Sequence, residues 1–139
     1  ILRRRCVSRH GAIFVPTHMA TRASTIDLLC TLAEPTRLRL LNCLATAPLF
    51  VSDLQAVLDL PQPTVSRHLT VLREAGLVQD TPVGSWVLYR VLPDNTPAGR
   101  LVRAVLHALA GEERLQLERA QARDRSRSRT RVEMERTNA

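Results

Sequence analysis

The 139-residue sequence lacks the features of a membrane protein and of a disulfide-stabilised secreted protein. No run of apolar residues approaches the roughly 20 that cross a bilayer. The three cysteines are odd in number and far apart, a pattern that does not form a disulfide framework and that fits a reducing compartment. We therefore expect a cytoplasmic protein without membrane contact.

The sequence also lacks the arrangements that carry enzyme chemistry. It contains only five glycines, and none of them belongs to a phosphate-binding loop. It has no Ser/His/Asp or Cys/His arrangement and no paired-carboxylate motif. The sequence therefore predicts a protein that is not an enzyme and that requires no cofactor.

Lysine is absent, so all 20 basic residues are arginine, and the net charge is +7. The excess of positive charge lies at the two ends, because residues 21–118 contain nine arginines against ten acidic residues. We expect residues 1–20 to be a disordered extension, residues 21–119 to be one folded domain, and residues 120–139 to be a disordered Arg-rich tail. The tail has too little apolar content to fold alone. Its arginines either add sequence-independent affinity for an anionic partner or are a solvated end.

Hydrophobic periodicity divides the first half of the domain into four short helices. The predicted ranges are 21–33, 35–47, 53–58 and 62–75. Ser52 and Gln55 have the spacing of a capping box at the start of the third helix. Three residues join the third helix to the fourth, and two helices linked in this way form a helix-turn-helix.

Two strands and a last helix follow. Residues 77–81 and 86–92 alternate around the turn-rich segment 82–85, as in a β-hairpin. Apolar residues then recur at helical spacing over residues 97–119. The predicted fold class is mainly α with a small β-hairpin wing (α+β), a winged helix-turn-helix.

The fourth helix has one apolar and one polar side. Val65, Leu69 and Leu72 fall on the core side, and Arg67 points away from it. Such a helix can enter the major groove of double-stranded operator DNA, with the hairpin tip on the flanking backbone or minor groove. The predicted DNA-binding residues are Gln62, Thr64, Ser66, Arg67, His68 and Thr70 on the helix, with Ser85 and Arg90 on the hairpin. His68 lies near the core edge, so we expect packing together with a phosphate contact.

Four motifs in order resemble the ArsR/SmtB repressors: L-A-E-P-T-R-L-R-L-L, V-S-D-L, Q-P-T-V-S-R-H-L-x-V-L-R-E-A-G-L-V and G-S-W-V-L-Y-R-V. The resemblance covers residues 24–110. It implies a homodimer formed through the first and last helices, acting in the cytoplasm on the nucleoid. It also implies repression of a promoter until an effector releases the protein. The effector stays open between a metal, a metalloid and a reactive sulfur or redox signal.

The sequence departs from the metal sites of that family. Many members carry a Cys-x-Cys pair where this chain has residues 50–52, Phe-Val-Ser. Asp94 and His107 match half of a second family site, but Thr96 and Ala110 take the other two places. Half of a tetrahedral site binds zinc poorly, so these two residues are weak metal candidates.

Cys30 and Cys43 lie within apolar helical patterns, where a cysteine is usually a small buried hydrophobe. The alternative is thiol chemistry with arsenite, a persulfide or a disulfide, for which they are weak candidates. A second function class also stays open, since a winged helix can bind a protein partner without reading DNA sequence.

Overall fold

The computed structural model describes residues 24–137, apart from the side chains of Met134 and Thr137. The predicted disordered extension, residues 1–20, lies outside the described residues. The elements, in chain order, are α1 (Thr25–Leu32), α2 (Pro35–Leu44), β1 (Leu49–Phe50), α3 (Val51–Leu58), α4 (Gln62–Glu74), β2 (Val78–Val83), β3 (Trp86–Val91), α5 (Pro97–Ala108) and α6 (Glu113–Thr137). The predicted fold class is confirmed.

Local hydrogen bonds determine where the first helices begin. The Ser24 hydroxyl accepts from the backbone N–H of Asp27 at 3.2 Å, and the Asp27 carboxylate accepts from the backbone N–H of Ser24. Pro35 is the first residue of α2, where its missing N–H costs nothing. The predicted capping box in α3 is wrong, because that helix begins at Val51 and the Asp53 carboxylate accepts from the backbone N–H of Phe50 at 3.2 Å.

The hairpin belongs to a three-stranded antiparallel sheet of order β1-β3-β2. β1 was not predicted, because two residues are too short to show alternation. The register pairs Leu49 with Tyr89 and Phe50 with Leu88. Since side chains alternate across a strand, the sheet has an inner face that includes Leu49 and Tyr89 and an outer face that includes Phe50 and Leu88.

One hydrophobic core lies beneath α2, α3 and α4. Its members are mostly leucines, and the largest of them are almost fully inaccessible to solvent. They are Leu40, Leu41, Leu49, Leu54, Leu58, Val65, Leu69, Leu72 and Leu77. This core holds the two helices of the helix-turn-helix against each other and against the base of the sheet.

The predicted last helix and disordered tail are both different in the structure. The helix expected over 97–119 ends at Ala108, and α6 then runs from Glu113 to Thr137. The break contains Gly111, a residue with low helix propensity. The segment expected to be disordered from 120 onward is therefore helical wherever the structure describes it.

Contacts with distant residues explain why α6 is ordered. The Asn42 side-chain amide, which is buried on α2, donates to the carbonyl of Leu115 at 3.0 Å. The buried Glu118 carboxylate accepts from Arg39 of α2, whose Nη2 lies 2.6 Å away. Composition alone does not report such pairings. Within residues 24–137, no helix has the combination of length and hydropathy needed to cross a membrane.

Candidate nucleic-acid interface

The turn between α3 and α4 positions the N-terminus of α4. Asp59 adopts the left-handed conformation, with φ 54°, a conformation that Asp tolerates better than most residues. Pro61 precedes α4 and offers no side-chain acceptor to its first amides. An uncapped helix N-terminus can donate its amides to a phosphate.

α4 presents its polar side to solvent because its apolar side is fully buried. Val65, Leu69 and Leu72 have no accessible surface, whereas Gln62 and Arg67 are exposed. Among the described residues, Arg67 has no ion-pair partner. Its guanidinium is therefore available for a base edge or a phosphate.

The neighbours of Arg67 on α4 hold one another in place. The Gln62 side-chain amide donates to the Ser66 hydroxyl at 2.7 Å, and the Thr70 hydroxyl donates to the Ser66 carbonyl at 3.0 Å. Thr64, Ser66 and Thr70 are only partly exposed. The structure thus brings these predicted residues together around Arg67, with Gln62 and Arg67 the most accessible.

His68 turns away from that group. Its side chain is 20% exposed, and its Nδ1 lies 3.6 Å from the carboxylate of Glu34 at the start of α2. Burial alone would raise the pKa of Glu34, but the backbone N–H groups of Arg37 and Thr36 and the charge of His68 together hold it below its usual value. We expected His68 to pack near the edge of the core and to contact a phosphate, and its largely buried position agrees with the packing.

The wing is tied to the far end of α4. Arg73 in the last turn of α4 forms an ion pair with Asp80 of β2 at 3.0 Å. Ser85 lies at the exposed hairpin tip beside Gly84, whose φ of +59° suits glycine. Arg90 is exposed on the outer face of the sheet. The ion pair thus links β2 to the C-terminal turn of α4.

The cysteines differ in exposure. Cys43 is fully buried, and burial, with a smaller contribution from the charge of Glu118, raises the pKa of its thiol to about 12. A thiol with that pKa is not a nucleophile at neutral pH. Cys43 is therefore a buried hydrophobe, as its pattern indicated, and Cys30 is partly exposed.

Asp94 and His107 do not form a metal site within the described part of one chain. The Asp94 carboxylate is paired with Arg103, and His107 is exposed. Across residues 24–137, no three His, Cys, Asp or Glu side chains come close enough together to hold a metal ion.

Two residues that position the helix-turn-helix were missed by sequence reasoning. Asp53 is 2% exposed, and its carboxylate lies 2.9 Å from Nε of Arg129 on α6. Arg129 also donates to the Ser52 hydroxyl at 2.9 Å and lies over the ring of Phe50, 4.5 Å from its centre. Asp53 and Arg129 are 76 positions apart in the sequence, so no local pattern could have paired them.

Comparison with known proteins agrees with this geometry. Residues 34–80 match the family model described as bacterial regulatory protein, arsR family. The chain is 43% identical over 108 residues to the biofilm growth-associated repressor of Agrobacterium fabrum strain C58, covering 76% of this chain and 89% of that protein. It is 46% identical over 69 residues to the arsenical resistance operon repressor of Escherichia coli K12, covering 49% of this chain and 59% of that protein.

A solved structure shows the same architecture. The crystal structure of the transcriptional repressor BigR from Xylella fastidiosa matches with a TM-score of 0.57 and 33% identity. The match covers 63% of this chain and 85% of that one. This chain therefore belongs to the ArsR family of bacterial regulatory proteins, and it is a DNA-binding transcriptional regulator rather than an enzyme.

Proposed function

We propose that this protein is a homodimeric repressor that reads its operator with α4 and the wing. In this proposal, Arg67 and Gln62 reach base edges in the major groove. The bases or phosphates beside them are contacted by Thr64, Ser66 and Thr70. Ser85 and Arg90 bind the flanking backbone or minor groove. The observation that carries the proposal is the exposed Arg67 guanidinium, which has no ion-pair partner within residues 24–137 and stands on a helix whose other side is completely buried.

Apolar residues exposed on the first and last helices support the dimer. Ile26 and Leu29 on α1 are 71% and 47% exposed, and Leu117 on α6 is 60% exposed. Covering such side chains with the same surface of a second copy removes apolar area from water. We propose that the DNA-binding domain comprises α1 to α6 and that the dimer acts in the cytoplasm, on the nucleoid.

Release from DNA by an effector is part of the proposal, with the effector's chemistry open among metals, metalloids and reactive sulfur species. The buried Cys43 argues against a two-thiol sensor made of Cys30 and Cys43. An unchanged response of the double Cys→Ser variant to arsenite and persulfide would exclude that sensor.

The test is fluorescence anisotropy on the DNA upstream of the gene and on a scrambled duplex of equal length, at one near-physiological salt concentration. We expect a preference of about 10³-fold or more for the native fragment. Arg67→Ala should weaken native binding by about 5-fold to 150-fold, since a good base contact contributes about 1–3 kcal/mol. Arg100→Ala, at an exposed arginine of α5, is the matched control and should have little effect.

Equal binding to both duplexes would contradict the proposal. Together with an inert Arg67→Ala, that result would favour the other function class, a winged-helix module that binds a protein partner.

A further inference from the structure

The outer face of the wing sheet is unusually apolar near the hairpin tip. Phe50 and Leu88 are paired on this face, Trp86 joins them by alternation, and Val83 is paired with Trp86. Trp86 is 59% exposed and Val83 is 40% exposed. The solvent face of an antiparallel sheet is usually polar, so a cluster of this kind indicates a binding surface.

α6 covers only part of this face. Arg129 stacks on Phe50, and Val132, almost one turn further along, is 51% exposed. Between α6 and the wing lies an open cleft of about 530 Å³, a volume within the range of small-molecule pockets. Its apolar walls are Trp86, Val83 and Val132, with Phe50 at the side of α3.

The cleft has an excess of positive charge. Arg125, Arg129 and Arg136 border it, against Asp53 and Glu133. Arg129 is committed to Asp53, whereas Arg125 is 4.0 Å from that carboxylate and its side chain is 48% exposed. Arg136 is exposed and forms no ion pair among the described residues. Two guanidiniums with unused donors therefore stand beside an apolar wall.

We propose that this cleft binds a small organic anion with an apolar body, such as a medium-chain or aromatic carboxylate. The planar fork of a guanidinium suits a carboxylate, while the body of the ligand would cover Trp86, Val83 and Val132. A ligand held between α6 and the wing restricts the wing. The consequence for operator affinity rests on the proposed function, but the binding itself does not.

Trp86 is the only tryptophan, so its emission reports on the cleft alone. The experiment titrates the full chain, without DNA, with octanoate and benzoate and with the neutral analogues octanol and benzamide. We expect a saturable change in Trp86 emission with each carboxylate below roughly 10 mM, and at least about tenfold weaker binding of each neutral analogue.

Matched variants locate the site. Arg136→Gln and Arg125→Gln should each weaken octanoate binding by about fivefold or more, because each removes a charge-assisted contact. Arg123→Gln, on the opposite side of α6, should leave octanoate binding unchanged. Circular dichroism of each variant checks that α6 is retained.

The proposal would be overturned by no saturable change, by equal affinity for the neutral analogues, or by an equal loss in Arg123→Gln. It would also be overturned if operator DNA altered Trp86 emission while octanoate neither altered it nor competed, since the cleft would then be a phosphate contact of the wing. Because octanoate binding is measured without DNA, a failure to bind operator DNA would not be mistaken for a failure of this site.

Discussion

The helix-turn-helix and the C-terminal half of α6 are both helical, but different interactions hold them. α4 buries Val65, Leu69 and Leu72 completely. Beyond Ala122, α6 buries no side chain that the structure describes, and its polar contacts with α3 centre on Arg129, which reaches the Asp53 carboxylate, the Ser52 hydroxyl and the Phe50 ring. A helix secured by a core has many contacts to lose, whereas a helix secured by one ionic cluster can be released by one substitution.

The largest expected effect is in the core. Leu69→Ala should lower the free energy of unfolding by about 2–5 kcal/mol, because Leu69 is fully buried in the leucine-rich core and its truncation leaves a cavity there. Urea denaturation followed by circular dichroism measures this change. Val132→Ala, at an exposed valine in the C-terminal half of α6, is the control. A comparable loss in both variants would mean that burial does not distinguish the two regions.

The second largest effect is expected where α6 is attached to α3. Arg129→Gln leaves the buried Asp53 with the more distant Arg125 as its remaining ion-pair partner among the described residues, and we expect a cost of about 1–3 kcal/mol. The cost should be confined to α6, with faster amide hydrogen exchange in residues 123–137 and unchanged exchange in α4. The exposed Arg127→Gln should change neither. Faster exchange throughout α4 would show that the two regions unfold as one unit.

A smaller effect is expected at the start of α2, which supports α4 through His68. The Glu34 side chain accepts from the backbone N–H of Arg37 at 2.8 Å, so Glu34→Ala should cost about 1 kcal/mol at neutral pH. Because the pKa of Glu34 is lowered in the folded state, its contribution is present above its ordinary pKa and is lost as the pH falls through the folded value. Urea denaturation at neutral and acidic pH measures the difference, and Glu34→Gln, which keeps an acceptor, is the control.

The smallest effect at neutral pH concerns Cys43, which lies on α2 near the base of α6. Because the pKa of Cys43 is about 12 in the folded protein, the folded protein keeps the thiol proton at pH values between 9.0 and about 12, at which the unfolded chain releases it. Stability from this source is complete below the ordinary pKa of 9.0 and is lost as the pH rises through about 12. Thiol labelling at pH 8 should therefore be slow in the folded protein and rapid in urea, measured in the Cys6→Ser/Cys30→Ser double variant, in which Cys43 is the only thiol. Rapid labelling of the folded protein would contradict the burial of Cys43.

Much of the helix-turn-helix could be predicted, because its signals are local. The apolar spacing of Val65, Leu69 and Leu72 determines which side of α4 faces solvent, and that side contains Arg67. His68 shows the limit of this reasoning, since its neighbour Glu34 is far away in the sequence.

The amino-acid sequence by itself determined the order of the helices through α4, the hairpin that follows, the outward position of Arg67 and the relation to the ArsR family. The helices, the hairpin and the position of Arg67 each depend on residues close together in the sequence, and the family relation depends on four short motifs of the same local kind. Only the tertiary structure decided that the Arg-rich segment is helical and that a cleft lies beside Trp86. The low apolar content of that segment predicts disorder, but Arg129 gains a buried carboxylate partner and an aromatic ring 76 and 79 residues earlier in the chain. An ion pair of that sequence separation exists only once the core has brought α3 and α6 together, so no local pattern can contain it.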